Sequence, residues 1–458
     1  MFISSNNKKT FWRWWFLATA IYLILAAVIT WRYGIGFLMP VGDDTGHHIQ
    51  LAKNLIEYRT FSLDGLDGAY SAMPPRPTNY LTPGYAFWLA LIYLIFKSFT
   101  PAIFIGAIVF AFSAPLTYFL VREITENNKI AFWSALIFMI EPLSIYHSGL
   151  MFTEQLFVPL FLAACYGFVK YLKTGDRKFV FGSLFIFSLS TLVRPIIFYL
   201  LPLLFLMVFI KEFKISWRRA AISGLLSLIV AYSLVGGWLV RNKIILNTWQ
   251  ISSNQGAILA AHYGVLNEYL KNRPNYIEPK SPNIRGLNTL SVEYNKIVEE
   301  FALKEILNHK ISYFKIYLGY TSSFFVRSGY DNLVSRLAGW PALSGGLRTA
   351  LTLKFLSGDI FGAVQLFFQA PATIWITFFG ASIWIAINIL AIIGFFYLMR
   401  KKSEINKPVI FYCAFLPAYF ALVSSIFSVA RYRLPVNPFI FIFASSGFLY
   451  LREKFKNV

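Results

Sequence analysis

The chain is a succession of apolar runs separated by short polar stretches. Runs at 11–31, 101–121, 130–146, 155–172, 178–194, 196–210, 219–239, 375–398, 409–429 and 436–452 approach the length of about 20 residues that a helix needs to cross a bilayer. This pattern predicts an all-α polytopic membrane protein with about 10–12 transmembrane helices. The polar stretches orient it. Lys8, Lys9 and Arg13, "KTGDRK" (173–178), "KEFKISWRR" (211–219), "RKK" (400–402) and "REKFKNV" (452–458) all suit the cytoplasmic side, because short cytoplasmic loops carry an excess of Lys and Arg. The run "PGYAFWLALIYLIF" (83–96) is short and is followed at once by "KSFTP". Counted as a span it would invert every later basic loop, so it reads as an interfacial or re-entrant helix. The outer face then holds a first loop (32–100) and a long segment (240–374), in which helices such as 311–327 lie against the membrane. Residues 1–458 are expected to form a single transmembrane domain without a separate soluble one.

Composition sharpens this picture. Of 458 residues 57% are hydrophobic, 19% aromatic and only 14% charged, against about 25% charged in soluble domains. The net charge of +21 comes from Lys and Arg in the loops between apolar runs, so it points to the bilayer as partner and not to nucleic acid. Cys165 and Cys413 lie inside apolar runs and have no metal-ligand spacing. The first run is longer than a signal-peptide core and no small-residue cleavage site follows, so it reads as a retained span.

Charged residues then collect at one surface. "LMPVGDDTGHHIQLAKNL" (38–55) puts Asp43 and Asp44 at the outer end of the first span, beside His47 and His48. Glu154 in "YHSGLMFTEQLF", Arg194 in "TLVRPIIF", Arg241 in "GGWLVRNK", and Arg431 and Arg433 in "VARYRLP" fall on the same side. Ionisable groups at membrane depth cost at least about 2.5–3.5 kcal/mol each, so they pair or serve a site. Guanidinium forks grip phosphate. A carboxylate can take a proton from an acceptor hydroxyl, or hold a divalent cation (Mg, Mn, Ca or Zn) against a leaving phosphate, with Asp43, Asp44 and Glu154 as candidate metal ligands. Together these suit group transfer from a membrane-borne phosphate ester on the non-cytoplasmic side. Bland readings stand beside this one: the arginines as snorkelling side chains, Arg241 as a helix cap, Glu154 as a favourable first-turn charge.

The motifs resemble those of the GT-C membrane glycosyltransferases, in the branch of dolichyl-phosphate-mannose protein mannosyltransferases and lipid A aminoarabinose transferases. Asp44, His48, Ala52 and Asn54-Leu55 follow that branch's first-loop spacing of Asp, Tyr, Ala and Asn-Leu, with His48 where Tyr is usual. Pro83-Gly84-Tyr85 and Thr153-Glu154 match two further motifs. Trp238, Arg241, Asn242, Ser253, Asn254 and Gly256 fall in register, and "RYRLPVNPFIF" fits the usual ending. Gly237 stands where Pro commonly precedes the Trp. Leu81 occupies the place of a frequent arginine, for which Arg76 is the nearest substitute.

The resemblance implies a GT-C-type bundle with interfacial helices on its outer face. It also implies inverting hexosyl or pentosyl transfer from a polyprenyl-phosphate-linked sugar to a hydroxyl of a lipid, glycan or protein acceptor of the cell envelope. Asp44 would take the acceptor proton, with Asp43 acting on it by like-charge proximity or joining it in binding a metal. Glu154 and His48 would position the acceptor or a cation, and Arg241, Arg431, Arg433, Arg194 and Arg76 would hold the donor phosphate. The expected setting is a bacterial inner membrane, with the site facing the periplasm or exterior. A lipid-linked glycan flippase or transporter and a polysaccharide ligase or polymerase are the competing classes. The first calls for mid-membrane charges, for which only Glu141 is a candidate, and commonly for internal repeats, of which none is obvious.

Overall fold

The structure, a computed structural model, describes residues 5–38, 44–65, 75–271, 273, 275–341, 343–400, 406–424 and 430–456. It is 81% helical with no strand among the described residues, as an all-α polytopic membrane protein requires. Among the described residues seven helices are long and apolar enough to cross a bilayer: Asn7–Tyr33, Pro101–Thr125, Glu154–Thr174, Pro195–Phe213, Thr373–Arg400, Lys407–Ser424 and Ala430–Lys456. Two bent pairs bring the number to nine if each is one span. The expected segment 178–194 forms Arg177–Val193, a helix of 17 residues packed along Glu154–Thr174.

Sequence explains the first of the two bends. Asn128–Ile140 and Pro142–Ser148 meet at 56°. Pro142 forces Glu141 into extended backbone (φ −60°, ψ 129°), and the Glu141 carboxylate then accepts the Ser144 N–H at 3.0 Å, starting a new helix. Trp217–Ala231 and Ser233–Leu246 meet at 57° at Tyr232. Pro83–Phe96 has 14 residues and stops at Lys97, which adopts a left-handed conformation. At 1.5 Å per residue that is about 21 Å, short of the roughly 30 Å hydrocarbon core.

Close backbone approach fixes two parts of the bundle. A Cβ on Gly394 would run into the Phe443 carbonyl and one on Gly447 into the Leu390 carbonyl, so small residues let Thr373–Arg400 lie directly on the last span. A Cβ on Gly84 would sit 2.7 Å from the Leu192 carbonyl oxygen. Pro83–Phe96 is thereby seated on the end of Arg177–Val193, just before Arg194.

The two ends of the bundle differ. At one, Arg122 donates to Asn7 at 2.7 Å, Lys173 to Glu126 at 2.7 Å, and Asn406 to the Leu172 carbonyl at 3.3 Å. Buried Glu212 there takes Arg219 at 2.5 Å, Arg177 at 3.6 Å and the Tyr171 hydroxyl at 2.9 Å. Asn7, Lys173, Arg177, Glu212 and Arg219 here lie in or beside the stretches read from sequence as cytoplasmic. The other end gathers residues 44–58, 75–85, 149–154, 194–199, 250–262 and 430–434. The helices of the 240–374 segment pack beside it around a satellite core of Leu266, Tyr269, Leu270, Ile306, Ile316, Tyr320 and Leu353.

Candidate active site

Helix Asp44–Tyr58 begins at Asp44 itself, where a carboxylate suits the positive end of the helix. Thr45 pins this start by donating to the Met151 carbonyl at 2.8 Å. Leu51 and Ala52 bury against the bundle, and Asn54 donates to the Ser62 and Asp64 carbonyls at 2.8 and 2.9 Å, folding back the loop that follows. Asp44 and His48, one helical turn apart, are left facing the same cavity.

Glu154 opens the helix Glu154–Thr174 and is fully buried. One of its carboxylate oxygens, Oε1, accepts from both the Arg194 Nη1 and the Arg431 Nε, while Thr153 donates to Oε2 at 3.3 Å. Arg194 follows the last residue of Arg177–Val193 in extended backbone, preceding Pro195, and its guanidinium lies 4.9 Å over the Tyr432 ring. Arg431 lies 4.7 Å over the Phe152 ring, and its Nη2 stands 3.5 Å from the Asp44 carboxylate. One guanidinium therefore links the buried carboxylate to the Asp44 carboxylate, whose side chain is 49% exposed.

The cavity beside this chain of charges measures about 400 Å³. Asp44, His48, Thr153, Arg194 and Arg431 supply one wall. Leu81, Val193, Ile196, Ile251, Ile258, Leu259 and Val423 make most of the remainder apolar. The opposite wall includes Gln255, which donates to the Tyr199 hydroxyl at 3.0 Å, and His262, whose Nδ1 is 2.8 Å from the Tyr313 hydroxyl. An apolar hollow with a few convergent charges has the makeup of a small-molecule site. The reading from sequence had not included Tyr199, Gln255 or His262. The spacing of Gln255, Ile258, Leu259 and His262, which places them on one helical face, is the signal that marks that wall.

The other candidates sit elsewhere. Arg433 is fully buried, donates to the Phe324 and Arg327 carbonyls at 2.6 Å each, and stacks on Trp384 at 3.3 Å, so it ties Lys310–Val326 to the last span. Arg241 donates to the Thr78 carbonyl at 2.8 Å and lies 4.8 Å over Trp238. Trp238 in turn donates to the Ile251 carbonyl at 2.8 Å, and the Ser253 N–H to the Asn79 carbonyl at 3.0 Å. These contacts clamp 78–80 to 250–253 and so build the cavity rim without lining it. Arg76 is exposed, with its Nε 3.8 Å from Asp64.

Asp43, one of the three candidate metal ligands, lies outside the described residues. Among those described, no three His, Cys, Asp or Glu side chains gather as a cation site would need, and Glu154 and Asp44 are joined by Arg431 instead of facing a common point.

Burial, reinforced by His47, Arg431 and Arg194 and partly offset by Asp44, lowers the His48 pKa to about 4. An unfolded histidine titrates near 6.5. Between these values the unfolded chain binds the proton more readily, so the stability His48 allows is fully held above about pH 6.5 and declines as pH falls toward 4. His48→Phe is expected to soften this acid-side decline, read as the difference in thermal midpoint in detergent between pH 7.5 and pH 5. An equal difference in both proteins would show that His48 does not carry it.

Residues 77–238 match the family model of dolichyl-phosphate-mannose-protein mannosyltransferases. The match supports reading the chain as a membrane glycosyltransferase of GT-C type. The matched segment contains Glu154 and Arg194, and it ends at the Trp238 that braces the cavity rim. No curated protein matches the chain.

Proposed function

We propose that this GT-C-type enzyme moves a hexosyl or pentosyl unit, with inversion, from a polyprenyl-phosphate donor to a hydroxyl of a lipid, glycan or protein acceptor on the non-cytoplasmic face. The observation that carries this reading is the position of Arg431, bound to buried Glu154 through Nε and set 3.5 Å from Asp44 through Nη2, at the wall of a largely apolar cavity.

In this reading the acceptor oxygen attacks the anomeric carbon while Asp44 takes its proton. The bond from that carbon to the phosphate oxygen breaks, and the electron pair leaves with the polyprenyl phosphate. Negative charge grows on that phosphate in the transition state, and the guanidinium groups of Arg194 and Arg431 lie in the cavity wall to meet it. Glu154 acts through the two arginines, fixing both forks so that no reorganisation is needed as charge develops. His48 lies one turn from Asp44 and, neutral above about pH 4, suits a hydrogen bond to acceptor or sugar. The apolar wall from Ile196 to Val423 suits the first isoprene units. The basic loops at the opposite end support the non-cytoplasmic placement, which in a bacterial inner membrane is the periplasm.

The test uses purified full-length protein in proteoliposomes, with a polyprenyl-phosphate sugar of known anomeric configuration and a pool of envelope lipids and glycans. The expected result is stoichiometric release of polyprenyl phosphate and a product of opposite configuration by NMR. Movement of the intact donor across the bilayer without a glycosidic product would overturn this reading in favour of a carrier.

A further inference from the structure

A second set of basic groups lies outside the transfer cavity. Arg327 ends the helix Lys310–Val326, and its carbonyl receives Arg433. Its half-buried guanidinium packs 5.6 Å over the Tyr320 ring, with no ion pair or hydrogen bond to a carboxylate among the described residues. Arg348, on Gly345–Ser357, pairs with Asp331 of Tyr330–Ala338, a carboxylate that is completely buried. The Nε of Arg348 is also buried, and no acceptor reaches it among the described residues. Of the two neighbouring guanidiniums only that of Arg348 has a carboxylate partner, and burial, opposed by Tyr320 and reinforced by the Arg348 charge, depresses the pKa of Arg327. Leaving the buried Arg348 Nε without an acceptor is costly. A dianionic or monoanionic oxyacid supplies the missing acceptors and the missing charge.

The position indicates where such an anion would come from. Tyr33, the last residue of the first span, donates to the Leu337 carbonyl at 3.0 Å. Thr373, the first residue of another span, donates to the Pro341 carbonyl at 2.9 Å. The stretch carrying Asp331 is therefore tied to two points where helices leave the bilayer, which is the level of lipid headgroups. Next to Gly345–Ser357, the helix Ile360–Gln369 leaves Phe361 and Phe368 83% and 70% exposed, offering apolar surface to acyl chains at the same level.

We propose that Arg327 and Arg348 hold the phosphate of a membrane glycerolipid, at a site separate from the one where transfer takes place. The lipid would lock the 327–348 segment against the ends of the two spans. Because Arg433 reaches across to the Arg327 carbonyl, it would also steady the turn that carries Arg431.

The full-length protein in detergent, stripped of lipid, is titrated with dihexanoyl phosphatidic acid, dihexanoylglycerol and inorganic phosphate, with native mass spectrometry and thermal midpoint as readouts. The same titrations are run on an Arg194→Gln background, in which the transfer cavity has lost one phosphate-gripping group. Phosphatidic acid is expected to bind saturably and raise the midpoint in both backgrounds, dihexanoylglycerol to have no effect, and phosphate alone to bind far more weakly. Arg327→Gln and Arg348→Gln should each weaken phosphatidic acid binding by about tenfold or more. Arg327→Gln leaves no buried carboxylate without its ion pair, so it keeps the test decisive if Arg348→Gln fails to fold. Unchanged binding in Arg327→Gln, or equal binding of dihexanoylglycerol, would overturn the site. Free phosphate binding as tightly as phosphatidic acid would overturn the lipid assignment. Binding that disappears with Arg194→Gln alone would place the lipid in the transfer cavity and likewise overturn the proposal.

Discussion

Asp44→Asn is expected to lower sugar transfer by about 10²–10⁴-fold, the range over which a positioned general base contributes, while donor binding is retained or tightened. Asparagine has the shape of aspartate but cannot accept the acceptor's proton at neutral pH. The arginines stay in place, because their anchor is Glu154 and not Asp44. Removing the carboxylate 3.5 Å from the Arg431 Nη2 also frees that nitrogen for phosphate. The loss should therefore fall on kcat, with KM for the donor steady or lower. The measurement is turnover against donor concentration in proteoliposomes, with donor affinity from competition by polyprenyl phosphate. If Asp44 served only as a helix-start charge, its removal would cost at most about 1 kcal/mol of stability and leave turnover near that of the unaltered protein. That outcome would remove Asp44 from the chemistry.

The spans were legible in the sequence because each is an apolar run: seven predicted segments match single candidate spans, 130–146 and 219–239 match the two bent pairs, and 178–194 matches a 17-residue helix. The breaks at Glu141-Pro142 and at Tyr232 were not read, although the first has a plain cause in Pro142. At the site, Asp44, Glu154, Arg194 and Arg431 were legible as charges at one end of apolar runs, where isolated charges must pair or act. Their partnership was not. Nothing in local sequence distinguishes Arg431, which reaches Glu154 and Asp44, from Arg433 two residues later, which turns away to cap Lys310–Val326. The difference is rotational: the short helix Ala430–Arg433 sends side chains two apart to opposite sides. Arg241 was likewise visible as a charge at a helix end, yet its task of holding 78–80 against 250–253 depends on contacts more than 160 residues apart. The distal wall was missed because Gln255 and His262 carry no charge pattern to mark them, and only the fold brings their helix over the cavity.

Glu154→Gln should be the most damaging single change to stability. The carboxylate is wholly buried and holds two guanidiniums whose side chains are only 10% and 20% exposed. Breaking a buried pair of this kind typically costs about 3–5 kcal/mol, because the uncompensated charge stays behind. Here two cations are left behind, with Asp44 as the remaining nearby anion. Transfer should fall with stability, since both forks lose their fixed orientation, but a fall in activity alone would not separate a damaged site from a damaged fold. The separating measurement is the midpoint shift produced by added polyprenyl phosphate. In the wild type the ligand stabilises by ordinary mass action. In the Gln variant its phosphate would also replace the missing carboxylate between Arg194 and Arg431, so its stabilising effect should be larger, although the free variant is weaker. A smaller shift than in the wild type would mean that these guanidiniums do not face the donor phosphate, and Glu154 would then be a brace for the bundle alone.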